Sequence, residues 1–175
     1  MLKPFIIISA FCFLTFSVHA QSTESLFMQA AVAKLEGSKA YTLLVANAMP
    51  ADKFEFKATP EEMSFREQAL HLAQNTGWLC SSYLQPGINP VTDADGLLTD
   101  KAAILTLLEK TYDYAIQVLQ SFSAVHLKDT VSFFAGPKTT LQIINLINDH
   151  QTHHRAQMIV YLRLNGIKPP DYVGW

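Results

Sequence analysis

Cysteine is nearly missing from these 175 residues: there are two, Cys12 and Cys80. Cys12 falls in an N-terminal segment that reads as removable, so no internal disulfide is available and stability must come from packing. Cys80 lies in an apolar helical run and reads as an inert buried thiol. A basic excess is missing as well. Thirteen Lys and Arg stand against fifteen Asp and Glu, a formal net charge of −2. With no clustered basic face, nothing points to nucleic acid. No stretch alternates apolar and polar residues over strand length. Nor does any apolar run reach the ~20 residues of a comfortable membrane span.

The longest such run, Phe5 to Phe16, follows Lys3 and precedes Val18-His19-Ala20. A positive start, an apolar centre and small residues at −3 and −1 before Gln21 are the pattern of a cleavable signal peptide. Residues 1–20 are therefore expected to be removed. Residues 21–175 are left as one exported domain, periplasmic or secreted, with no membrane attachment after cleavage.

What the mature chain does have is helical periodicity. Hydrophobic residues make up 49% of the sequence, and they recur at helical spacing in four segments. The first runs from about Thr23 to Ala48, with Leu26, Ala30, Ala31, Leu35, Tyr41, Leu44 and Ala48 available for an inward face. Phe54 and Phe56 alternate with charges in the linker that follows. Thr59-Pro60-Glu61-Glu62 and Ser64-Phe65-Arg66-Glu67 both match a capping box, giving the second helix two possible starts. It runs to about Tyr83 or Leu84, before Gln85-Pro86-Gly87. Its apolar stripe (Phe65, Ala69, Leu72, Leu79, Tyr83) is flanked by a polar row: Ser64, Gln68, His71, Asn75, Trp78 and Ser82. That row is either the wall of a wet cavity or an ordinary solvent-facing side, and on its own the second reading is preferred. The third helix starts after Thr99 or Asp100 and ends near Phe122. His126 reads as a surface residue of the next connection, and Thr130 to Phe134 as a short extended turn. The fourth helix starts at Thr139 or Thr140 and ends at Asn165-Gly166, a glycine stop followed by hydrophobic Ile167. Fold class is all-α, a four-helix bundle, up-down or crossover.

The fourth helix carries His150-Gln151-Thr152-His153-His154-Arg155-Ala156-Gln157. Residues four apart share a helix face, so His150 and His154 point the same way. A wheel with His150 at zero sets His154 at about 40°, His153 at about −60° and Arg155 turned away at about 140°. Ile143 and Tyr161 fall near 20°, which sets the two histidines along the middle of the apolar face. Buried imidazoles need partners, and either a divalent cation or neighbouring side chains would satisfy them. Spacing alone leaves both open. Zinc proteases place Glu directly after the first His as general base, and Gln151 at that position excludes their mechanism.

Three stretches together resemble the DinB-like (DinB/YfiT) metalloprotein superfamily: Ser64-Phe65-Arg66-Glu67-x-x-x-His71, His150-x-x-His153-His154-Arg155-Ala156-Gln157, and the tail Leu162 to Pro170. The likeness covers essentially the whole mature chain, with Ala156 where the family commonly has Gly. The resemblance implies one divalent metal, zinc, nickel or iron, held by His71, His150 and His154. Three imidazoles would leave a coordination position open for water or a small-molecule substrate. Asn75, Trp78, Gln157 and Tyr161 would be the nearest candidates for the pocket wall. Glu67 would be a capping residue and His153 a supporting one. Characterised relatives include thiol-dependent S-transferases, which makes a metal-dependent enzyme of that type the leading expectation. A metal-dependent hydrolase and a non-enzymatic metal-binding or stress-response module are the alternatives. Relatives often pair through bundle faces, so a homodimer is compatible with the resemblance.

Overall fold

Helices form where the capping chemistry starts them. The computed structural model describes residues 23–173 except 86 and 88, so the expected signal peptide, 1–20, lies outside the described residues. The four long helices are α1 (Thr23–Ala48), α2 (Phe65–Leu79), α3 (Lys101–Ser121) and α4 (Thr140–Leu164). Of the two candidate starts for α2, Ser64 is the one used. Its Oγ accepts from Glu67 N at 3.2 Å and its own N donates to Glu67 Oε2 at 2.6 Å. The Thr59 box becomes a turn instead, with Glu62 N on Thr59 O. Asp100 caps α3 through Ala103 N, and Thr139 caps α4 in a second reciprocal box with Gln142. α4 stops as the glycine signal requires. Gly166 takes φ 72°, Gly166 N reaches Arg163 O and Ile167 N reaches Leu162 O, satisfying two terminal carbonyls.

α2 does not stop at Leu79 but widens into one π-helical turn, Cys80–Leu84. The chain then crosses back to the other end of the bundle. Gly77 permits that crossing, because a Cβ there would lie 2.4 Å from Asn89 Oδ1. Between α3 and α4 a small hairpin pairs β1 (Thr130–Val131) with β2 (Lys138–Thr139), antiparallel, with Thr130 opposite Thr139. It is the one departure from all-helical architecture among the described residues.

Contacts between helices fix the topology. α1 packs on α3 and α4, and α2 packs on α3 and α4. At one end Lys101 Nζ, at the start of α3, donates to Met49 O just past α1 and lies over the Phe54 ring. Phe54 in turn packs on Phe65 at the start of α2. The starts of α2 and α3 thus share the end where α1 finishes, giving an up-down-down-up bundle with the 85–100 connection as the crossover. In the linker Phe54 is buried, and Phe56 packs edge-on against Tyr161 at 5.7 Å.

Two faces are turned from the sequence expectation. In α1, Leu26 and Leu44 are exposed, as is Ala30, while Met28, Ser38, Thr42, Val45 and Ala46 join Ala31, Leu35 and Tyr41 inside. In α4 the buried residues centre on about 80° of the wheel rather than on the histidines. Arg155, expected to turn outward, is buried. Its Nη1 donates to Thr42 Oγ1 at 3.2 Å, Thr42 shares a hydrogen bond with Tyr112 at 2.8 Å, and the guanidinium lies 5.2 Å from the Tyr41 ring centre. Hydroxyls and an aromatic face solvate the charge that water would otherwise hold, so Arg155 tolerates burial. Burial also pushes the Tyr112 hydroxyl up to about 12.

Ser64 is fully buried, so its cap is not replaceable by water. Ser64→Ala is expected to lower stability by about 1–2 kcal/mol. The urea midpoint should fall with no change in the slope of the transition.

Candidate metal centre

α2 and α4 run antiparallel, and that alignment assembles the site. The Tyr161 hydroxyl donates to Met63 O at 2.9 Å near the start of α2. Two turns further along α2, His71 then comes level with His150 and His154. His150 Nε2 lies 3.1 Å from His71 Nε2 and 3.1 Å from His154 Nε2. Ring centres are 4.9 Å apart for His71 and His150, 4.6 Å for His71 and His154, and 4.3 Å for His150 and His154. One ligand atom from each residue lies within 4.8 Å of the others. His154 is buried, and the other two are half-buried.

The donor set fits one ion. Metal–imidazole bonds of about 2.0–2.1 Å separate two coordinated nitrogens by about 3.3 Å at a tetrahedral angle and about 2.9 Å at a right angle. The two separations from His150 Nε2, both 3.1 Å, fall between these values, and the ligand atoms of all three residues lie within 4.8 Å of one another. Hydrogen bonding alone leaves the trio short of protons. His154 Nδ1 is 2.5 Å from Gln68 Oε1, an acceptor, so that nitrogen carries the hydrogen and His154 Nε2 presents a lone pair. Nε2 of His150 has one position for a proton and two nitrogens beside it. Meanwhile His150 Nδ1 is buried without a hydrogen-bond partner.

Electrostatics keep all three rings neutral, which is the metal-binding form. Burial, then the neighbouring imidazoles, push His154 down to about 3. His150 falls to about 4 for the same reasons, with Asp149 opposing weakly. His71 is lowered by burial and by His153. His153 itself is exposed, edge-on to His154 at 4.9 Å, with its Nε2 3.3 Å from Gln157 Nε2.

Each pocket candidate has a definite place. Asn75 lies one turn beyond His71, its Oδ1 buried and unpartnered. Trp78 lies two turns beyond and packs on Tyr83, Phe133 and Phe134. Gln157 reaches His153, and Tyr161 ties α4 to Met63. Gln151, where a zinc protease would have its base, points into the core with neither amide atom partnered. Glu67 is spent on the Ser64 cap and pairs with Lys57 at 3.3 Å.

Two features were not legible beforehand. Gln68 stood in the polar row of α2 without distinction, yet it sets the orientation of His154. Glu61, Glu62 and Glu67 line a cavity of about 360 Å³ that reaches His71. The linker that brings the first two there had no periodicity to read. Gln68→Ala is expected to weaken metal binding by about 10–100-fold with all three imidazoles still present. Competition against a chromophoric chelator measures it.

Comparison with known proteins places the fold. The model of the DinB superfamily matches residues 34–158. A DinB-like protein of Bacillus cereus superimposes with a TM-score of 0.73 at 18% identity, covering 83% of this chain and 97% of its own. A DinB-like protein of Bacillus subtilis gives 0.65 at 15% identity, covering 82% and 96%. No curated protein matches the chain. At these identities the likeness speaks for the fold.

Proposed function

The chain belongs to the DinB superfamily, and from that premise we propose that it binds one divalent ion through His71, His150 and His154. The observation that carries this reading is the pair of 3.1 Å Nε2 separations, one between α2 and α4 and one within α4. Zinc, nickel and iron suit an all-imidazole donor set. Such an ion would lower the pKa of a small thiol and hold it for attack on an electrophile, the chemistry of a thiol S-transferase. This chain's own part is to hold three neutral imidazoles, to fix the His154 tautomer through Gln68, and to leave one side open at His71. The protein would work on small molecules after export to the periplasm or the medium.

A hydrolytic reading gains one specific support: the Glu61, Glu62 and Glu67 carboxylates share the cavity that reaches His71. Glu67 is engaged by its cap and Glu61 by its own backbone N–H and the Thr59 side chain, which leaves Glu62 as the candidate base. Elemental analysis of the purified protein is expected to find one divalent ion per chain. Turnover of an electrophile only with an added low-molecular-weight thiol supports the transferase. Thiol-independent cleavage of phosphoesters or amides, lost in Glu62→Gln, supports the hydrolase. Metal without turnover in either panel identifies a binding module, and metal-free protein rejects the proposal.

A further inference from the structure

The hairpin before α4 holds an aromatic ring in the open. Phe134 is 83% exposed, although the chain around it is tightly fastened. Lys138 Nζ donates to Ala135 O at 3.1 Å and Gly136 O at 3.2 Å, and Gly136 N returns to Phe133 O at 3.0 Å. Gly136 takes φ 89°, a conformation that side-chain-bearing residues rarely adopt, to make that turn. The tip is therefore fixed with its ring outward. Phe133 and Phe134 lie 4.4 Å apart, and both incline 35° to Trp78, at 5.9 and 6.3 Å. Tyr83 supports Trp78 and Phe133 edge-on from behind, at 5.4 and 5.5 Å. The result is an aromatic shelf whose outer side is uncovered.

Its position relates it to the histidines. Trp78 follows His71 by seven residues, about 10 Å along α2 and only about 20° around it. Asn75 lies between them with a buried, unpartnered Oδ1, and His150 Nδ1 is likewise unpartnered. We propose that the shelf is the second anchor of the metal centre's ligand, taking a planar apolar group carried about 10 Å from the atom that meets the metal. The occupant is a small molecule rather than a second copy of the chain. One aromatic side chain buries about 150–250 Å², against about 800 Å² per partner in a stable interface. This inference rests on the metal-binding reading above.

Calorimetry of the cobalt-loaded full chain with two thiol series, plain n-alkyl and ω-phenylalkyl, tests it. The phenyl group is expected to raise affinity by about tenfold or more at the spacer that spans the gap, and not at shorter ones. Phe134→Ala, a surface change, should erase that gain while leaving cobalt content and ethanethiol affinity unchanged. A protein that takes up cobalt but shows no length-dependent gain, or keeps the gain in Phe134→Ala, overturns the shelf alone. Failure to take up cobalt overturns both readings. A dimer in sedimentation that Phe134→Ala dissolves would make the shelf an interface instead, and would also overturn it.

Discussion

His71→Ala, His150→Ala and His154→Ala should each lose the bound metal, with affinity falling by more than about 100-fold, beyond the 10–100-fold of a lost outer partner. The reason is geometric. Two imidazoles remain in each variant, and the third bond is supplied by a side chain whose backbone is already fixed by the bundle. His71 is the sharpest case, because it is the only contribution from α2. Without it, the i, i+4 pair of α4 is a two-donor site open to solvent. His153→Ala is the internal control: its ring is exposed and meets His154 only edge-on, so metal content should stay at the parent level. Thermal unfolding gives an independent readout. Metal at 100 times its dissociation constant stabilises the parent by about 2.7 kcal/mol, a gain the ligand variants should lack. Full stoichiometry in any of the three would remove that residue from the site.

The helices were legible because their signals are local. Ser64 with Glu67, Asp100 with Ala103 N, and Asn165-Gly166-Ile167 each act within a turn of chain, and each marks a helix end in the structure. Helix faces were less legible, since facing depends on what lies across the bundle. Leu26 and Leu44 look inward by hydrophobicity but are exposed, whereas Ser38 and Thr42 are buried. The same effect displaced the α4 wheel. Gln151 and Arg155 sit inside the true buried stripe, and polar residues there pull an apolar count toward the neighbouring side. Arg155 is accommodated by Thr42 and Tyr41 of α1, with Tyr112 of α3 behind Thr42, partners no reading of α4 alone supplies.

For the site, the division follows sequence distance. His150 and His154 announce themselves by four-residue spacing. His71 is 79 residues from His150 and, read by its own helix, looked like a surface residue. Only family resemblance joined it to the pair. Gln68 and the Glu61 and Glu62 carboxylates had no such help, because nothing local separates a second-contact amide or a cavity carboxylate from ordinary surface chemistry. The aromatic shelf depends on a hairpin with two-residue strands, too short to leave an alternating pattern.

Acid should begin to destabilise the metal-free protein before its carboxylates protonate. In the unfolded chain a histidine titrates near 6.5. In the folded, metal-free site His150 titrates at about 4 and His154 at about 3, and His71 is lowered as well. Below pH 6.5 the unfolded state therefore binds protons that the folded state refuses. The stabilisation is complete above 6.5 and is lost as pH falls from there through about 4 for His150 and about 3 for His154. Each imidazole contributes a slope of at most about 1.4 kcal/mol per pH unit, reduced where solvent reaches the half-buried rings. Glu67, held low first by the backbone N–H of Ser64, loses its contribution only at lower pH, so the two effects occupy different windows. Denaturant midpoints measured in chelator should fall steadily from pH 7 to 5, and the fall should shrink in His150→Ala and His154→Ala. Saturating metal should raise the midpoint most at neutral pH and progressively less in acid, because protons compete for the same nitrogens. A midpoint flat from pH 7 to 5 in the metal-free protein would mean that the three rings are already free to take up protons. The crowded, neutral cluster from which the metal site is argued would then be wrong.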